Sequence, residues 1–331
     1  MKELIRTLVE TPGPSGYESK LRELVRAEIE PLVDELRVDA LGNLIARKGQ
    51  ASPEGKQVML SAHMDEIGLI VTHVDENGFA RFTTLGGVRA QNLPGGRVRF
   101  MRGPMGVIGV QYHSEPYASS FEEMFIDLGA KTRKDCPVQV GDVAAFDRPF
   151  TNMGERLVAK SMDDRIGVAV LVETLRQLQS TPHALYFVFS VQEEVGLRGA
   201  RTAAFGIDPD LGLAVDVTGT GDTPKGVKME VGLGKGPAVK VRDGGMLTDP
   251  RVVDWMVRTA QKARLPYQLE ILEYGSTDAR AIQVSRAGVP VGCLSIPCRY
   301  IHSPSEMVDF GDVQNAVRLM VALLSEPVTL G

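Results

Sequence analysis

Tyr186-Phe187-Val188-Phe189-Ser190-Val191-Gln192-Glu193-Glu194-Val195-Gly196-Leu197-Arg198-Gly199 decides how the chain is read. Its β-branched and aromatic run predicts a buried strand that stops at two adjacent carboxylates, before a glycine and a helical segment. Ligands of open α/β sheets gather beyond the carboxyl ends of the strands. Successive residues of an extended chain point opposite ways, so Glu193 and Glu194 diverge: one can hold a cation while the other handles a proton. Alone, a Glu-Glu pair is a solvated acidic turn. The rest of the chain changes that reading.

On either side of this stretch the pattern alternates strand and helix. Downstream come a helix after Gly199, a strand at 211–215 ending on Asp216, helices at 250–263 and 279–286, strands at 268–272 and 289–294, and a last helix at 310–324. Upstream lie a helix from about Arg165 to Leu178, two N-terminal helices at 4–9 and 21–33 joined by the elbow Thr11-Pro12-Gly13-Pro14-Ser15-Gly16, and strands at 43–47 and 58–62, the second running into His63-Met64-Asp65. The alternation predicts an α/β fold, a mainly parallel sheet flanked by helices. Between about residues 69 and 156 short β-rich runs alternate with glycine turns and no helix-length pattern appears, which predicts a small all-β barrel inserted into the larger domain. The expected division is therefore 1–68 with 157–331 for the discontinuous main domain and 69–156 for the insert.

Bulk properties narrow the function. A length of 331 residues suits one large domain with an insert, and 43% hydrophobic with 24% charged residues is ordinary globular composition. A net charge of -5 gives no reason to expect nucleic acid. No apolar run approaches a membrane span, and Pro12-Gly13-Pro14 interrupts any signal-peptide core, so a cytoplasmic protein is expected. Cys136, Cys293 and Cys298 form no CxxC pair and read as reduced, buried side chains. His73, His113 and His183 lie away from the motif blocks and read as ordinary residues, as does Trp255 in its helix. Gly232-x-Gly234-x-Gly236 lacks the helix and acid of a dinucleotide fingerprint.

Five strand ends or post-strand loops carry a residue fit to ligate a metal: His63, Asp163, Glu194, Asp216 and His302. Each has an innocent explanation, as a helix cap or a hydrogen-bonded loop histidine. Their joint arrival at one rim of one sheet is what points to a site. Two divalent ions about 3.5–4 Å apart need a shared anion, supplied by a bridging carboxylate and a bridging hydroxide. With Asp163 as the bridge, His63 and Asp216 complete one ion and Glu194 and His302 the other.

His63-Met64-Asp65, Asp163-Asp164-Arg165-x-Gly167, Glu193-Glu194-Val195-Gly196-x-x-Gly199, Asp216 and His302-Ser303-Pro304-x-Glu306 together resemble the tetrahedral aminopeptidase family, co-catalytic dinuclear metal exopeptidases that include the glutamyl aminopeptidases. The similarity runs end to end and includes the β insert. It implies a metal-dependent aminopeptidase acting on short peptides with a free N-terminus, with Glu193 as general base, Asp65 orienting the first histidine, and a cis bond at Asp163–Asp164. It also implies that Gly275 and Asp278, in Gly275-Ser276-Thr277-Asp278, lie near the substrate, that Gln91 reaches towards a neighbouring subunit's site, and that copies associate as dimers through the insert and as dodecamers. Nitrogen and oxygen ligands suit zinc, and cobalt or manganese fit the same donors. A deacylase or carboxypeptidase using Arg165 or Arg280 for a substrate carboxylate, and a catalytically silent assembly protein, are the alternatives.

Overall fold

A computed structural model describes residues 1–112 and 120–330 of the chain; His113 lies outside the described residues. In chain order the strands are β1 Glu35–Val38, β2 Leu44–Lys48, β3 Gln57–His63, β4 Gly68–Val74, β5 Ala80–Leu85, β6 Arg97–Phe100, β7 Met105–Val110, β8 Met124–Asp127, β9 Val143–Phe146, β10 Thr151–Met153, β11 Arg156–Ala159, β12 Ala184–Ser190, β13 Leu211–Thr218, β14 Ala238–Arg242, β15 Gln268–Ile271, β16 Val291–Arg299 and β17 Glu306–Asp309. The α-helices are α1 Lys2–Glu10, α2 Ser19–Ile29, α3 Met162–Gln177, α4 Arg198–Ile207, α5 Pro250–Lys262, α6 Asp278–Gln283 and α7 Phe310–Leu324.

Strand β12, the opening stretch, lies inside the large sheet because both of its faces are apolar. Leu185, Phe187 and Phe189 enter the core beneath α1, α2, α3, α5 and α7, while Val188 enters the smaller core beneath α4 and α6. The same period of two runs through β3, where Val58, Leu60 and Ala62 face one layer and Met59 the other. Phe187 and Phe189 are fully buried, each burial being worth about 1.5–3 kcal/mol. An aspartate at Phe187 would cost more than that, since an unpaired charge would replace the ring.

The sheet runs β1-β2-β12-β3-β13-β16-β17-β11-β10, with β14 and β15 branching from β16. Its centre, β12-β3-β13-β16, is parallel in register, with Ser190 opposite His63 and Asp216 opposite Ser295. The flanks β1-β2-β12 and β16-β17-β11-β10 are antiparallel, so the sheet is mixed, with its parallel strands gathered at the centre. Four neighbouring parallel strands therefore end on one edge.

Between β3 and β10 the chain closes a separate barrel, β4-β5-β8-β7-β6-β9. Alternation fills it: Val98 and Phe100 of β6 and Ile108 of β7 point inward to Leu69, Val71, Ile126 and Phe146, and the residues between them face out. The barrel strands span Gly68 to Phe146, whereas Thr151–Met153 pairs with β11 in the large sheet. That strand was invisible in the sequence because three exposed residues carry no burial pattern. Trp255 is core packing at 4% exposure, and Gly234 and Gly236 form a turn whose amides donate to Asp312. Cys136, Cys293 and Cys298 are all free, the last two buried and Cys136, against expectation, only half-buried. Among the described residues no helix is long and apolar enough to cross a membrane.

Candidate active site

The carboxyl ends of the parallel strands open into a cleft of about 880 Å³ lined by His63, Asp163, Glu193, Glu194, Asp216 and His302. His63 closes β3, Glu193 and Glu194 follow β12, Asp216 lies near the end of β13 and His302 follows β16. Asp163 enters from the start of α3, where Asp163 and Asp164 keep non-helical backbone angles and are joined by a cis peptide bond.

Asp163 stands between the two imidazoles. Its Oδ1 is 3.0 Å from His63 Nε2 and its Oδ2 is 3.3 Å from His302 Nε2, which is also 3.3 Å from Glu194 Oε1. Donor atoms of Asp163, Glu194 and His302 lie within 4.8 Å of one another, as do those of His63, Asp164 and Asp216. Asp164 sits in the second group, but its two oxygens already accept from the amides of Gly167 (3.0 Å) and His63 (3.3 Å). Asp163 has one oxygen turned to each histidine and is the carboxylate that joins the groups.

The charges at this edge are unbalanced. Burial, followed by the Asp216 charge, pushes the Asp164 carboxyl well above its ordinary value, and burial does the same to Glu193 and Asp216. Burial would also raise Asp163, but the imidazoles of His302 and His63 outweigh it and hold that carboxyl low. Burial opposes charge on His302, yet Asp163 and Glu194 drive its pKa up to about 12. The cluster draws in positive charge, because buried carboxylates this close are costly without it. Glu194 Oε1 is buried and makes no well-aligned hydrogen bond with the described residues, although His302 Nε2 stands 3.3 Å away. A carboxylate- and imidazole-rich cradle with an oxygen left unsatisfied in this way fits divalent cations.

Supporting contacts were only partly legible in the sequence. Asp65 lies against His63, its carbonyl 3.1 Å and its carboxylate 3.5 Å from His63 Nδ1, and the carboxylate also accepts from the amides of Glu193 (2.9 Å) and Glu194 (3.1 Å) and from Ser15 Oγ (2.6 Å). Glu306, quoted only as part of a motif, accepts from the amides of Asp163 (3.0 Å) and His302 (2.8 Å), and its pKa is raised to about 8 by burial and by Asp163. Ser161, Gln192, Tyr300 and His302 hold left-handed backbone (φ 54°, 55°, 63° and 60°), the kind of local strain that gathers at functional sites.

Gly275 lines the cleft. Asp278 does not: it is buried beneath, its Oδ2 accepting from Ser61 (2.6 Å) and Ser190 (2.5 Å), and Thr277 rather than Asp278 caps α6. Gln91 is exposed and outside the lining, although its neighbours Gly87 and Arg89 belong to it. The barrel thus contributes a wall of the site, and Asn92 Nδ2 reaches the His302 carbonyl at 3.5 Å. Arg165 is fully buried and donates to the carbonyls of Leu8 (2.7 Å) and Thr11 (2.9 Å), which removes it as a partner for a substrate carboxylate.

Residues 42–319 match the family described as M42 glutamyl aminopeptidase. The chain belongs to that family. It is 45% identical over 328 residues to a putative aminopeptidase of Acetivibrio thermocellus, covering 97% of each chain. Among solved structures it resembles an aminopeptidase of the archaeon Desulfurococcus kamchatkensis, with a TM-score of 0.94 and 40% identity over 98% of this chain and 94% of the other. It also resembles the Pyrococcus horikoshii TET1 peptidase, described as assembling into a tetrahedron or a large octahedral shell, with a TM-score of 0.89 and 31% identity over 98% and 99% of the two chains.

Proposed function

We propose that the chain is a metal-dependent aminopeptidase that removes the first residue of short peptides. His63, Asp163 and Asp216 would hold one divalent cation, and Asp163, Glu194 and His302 the other, zinc being the ion that best suits these donors. The observation that carries this reading is Asp163, one oxygen turned to each histidine, with a carboxylate available on either side. When bound, the cations supply Lewis-acid polarisation of the scissile carbonyl and acidify water.

The chain's own groups supply the rest. Glu193 faces the cleft and is the general base: burial raises its proton affinity well above that of an ordinary carboxylate, which suits it to take a proton from the attacking water and return it to the departing amine. Asp65 fixes it by gripping its amide and that of Glu194. The acid-lined cleft suits the cationic α-amino group of an unblocked peptide, and Gly275, also in its lining, would lie near the substrate's first side chain. Asp278 acts from below through Ser61 and Ser190. Self-association through the barrel is supported by the shells described for the Pyrococcus horikoshii relative and by Met105 and Val107, 41% and 47% exposed on the barrel's outer face; Gln91 would then reach a neighbour's cleft.

The test compares aminoacyl-p-nitroanilides with N-acetylated amino acids on protein reconstituted with zinc, cobalt or manganese. Turnover of unblocked substrates alone, abolished by a chelator, is expected. Turnover of the acylated set alone would favour the deacylase reading, in which Arg280, a residue of the cleft lining, would meet the substrate carboxylate.

A further inference from the structure

Three consecutive backbone N–H groups after β12 are captured by two carboxylates from distant parts of the chain. The Gln192 amide donates to Glu18 Oε1 at 3.2 Å, Glu193 to Asp65 Oδ1 at 2.9 Å and Glu194 to Asp65 Oδ2 at 3.1 Å. Both acids are buried, at 5% and 0% exposure. Gln192 lies in the left-handed region, so the turn leaves the strand ladder and its amides need acceptors from elsewhere.

Ser15 belongs to the N-terminal elbow and Glu18 follows it, immediately before α2. Ser15 Oγ donates to Asp65 Oδ2 at 2.6 Å, and Glu18 Oε1 takes the Gly16 amide at 2.8 Å as well as that of Gln192. The elbow is itself anchored: Arg165 binds the Thr11 carbonyl (2.9 Å), and the Gly13 amide donates to Glu66 Oε1 (2.8 Å), whose other oxygen meets Lys160 at 2.7 Å. An ion-paired foundation thus fixes the loop that fixes the turn.

We infer that Glu18 and Ser15 are positioning residues for Glu193: they set the backbone on which the base stands. The inference rests on the role proposed above for Glu193. Neither residue lines the cleft, so neither touches substrate or cation. They act through the amides of 192–194, and a displacement of about 1 Å at a reacting group can cost on the order of 10²-fold in rate.

The full-length, metal-loaded chain is compared with Glu18→Ala, Glu18→Gln and Ser15→Ala for kcat, KM, metal content and hydrogen exchange at 190–197. Glu18→Ala should lose about 10–100-fold in kcat with KM and metal content close to the parent's. Exchange should quicken at 192–194 and not in β3 or α3. Glu18→Gln, which keeps an acceptor oxygen, should recover most of the loss, and Ser15→Ala should fall between. Parental kcat in Glu18→Ala, loss of metal in step with activity, faster exchange throughout the chain, or a glutamine variant no better than alanine would overturn the inference. A parent inert towards every unblocked peptide would overturn the functional reading instead, and unchanged exchange at 192–194 in Glu18→Ala would overturn this inference alone.

Discussion

Gly87→Ala tests whether the barrel completes the metal cradle. A Cβ on Gly87 would fall on Nδ1 and Cε1 of His302, and the Gly87 backbone lies outside the left-handed region, so the methyl group is the whole perturbation. Restoring ordinary contact, at about 3.5 Å, requires the ring to withdraw by roughly 1 Å. It has room to do so, being 27% exposed, but the movement carries Nε2 away from Asp163 Oδ2 and Glu194 Oε1, both now at 3.3 Å. Displacing a ligand's support typically costs about 10–100-fold in metal affinity, here expected at the cation shared by Asp163, Glu194 and His302. That corresponds to about 1.4–2.8 kcal/mol of binding free energy. Calorimetric titration of the metal-free protein should show one site weakened and the other unchanged, with peptide turnover restored at high free zinc. Two parental affinities in Gly87→Ala would refute both the contact and the assignment of His302 as a ligand.

Glu193→Gln should keep the parent's metal content while kcat falls by about 10²–10⁴-fold; elemental analysis beside steady-state kinetics decides, and a variant as active as the parent removes Glu193 from its role. Lys240→Met would leave Glu270 buried beside Thr218 without its ammonium partner, both members of the pair being at most 1% exposed, so urea unfolding should show a loss of about 3–5 kcal/mol. His183, held below its ordinary 6.5 by burial, accepts from the Lys56 amide and contacts the Glu326 carbonyl. With a folded pKa below the unfolded one, its stabilisation is full above 6.5 and declines as pH falls through that value towards the folded pKa. The Tm of His183→Gln should accordingly fall less between pH 7 and 5 than the parent's, and parallel profiles would disprove the assignment.

Local pattern carried far in this chain, for a physical reason. The strand at 186 and the helices at 165–178 and 310–324 were legible because burial imposes periods of two and 3.6 on apolar residues. β10 and β17 were not, being short strands whose place depends on pairing with β11. The cradle was legible as residue types at strand ends, since a parallel sheet delivers those ends to one edge whatever the loops do.

Sequence alone determined the α/β class, the inserted barrel and the identity of the acids and histidines at the rim, because each follows from chemistry written into neighbouring residues. Only the tertiary structure decided that Asp163 faces both imidazoles, that Asp65 holds the Glu193 turn with its carboxylate as well as His63 with its carbonyl, that Arg165 is a buried strut, that Glu306 takes the Asp163 amide, and that Glu18 and Ser15 reach the Glu193 turn and Asp65 from the N-terminal segment. These contacts join residues as much as 174 positions apart, and distances across such separations are fixed by packing rather than by local pattern.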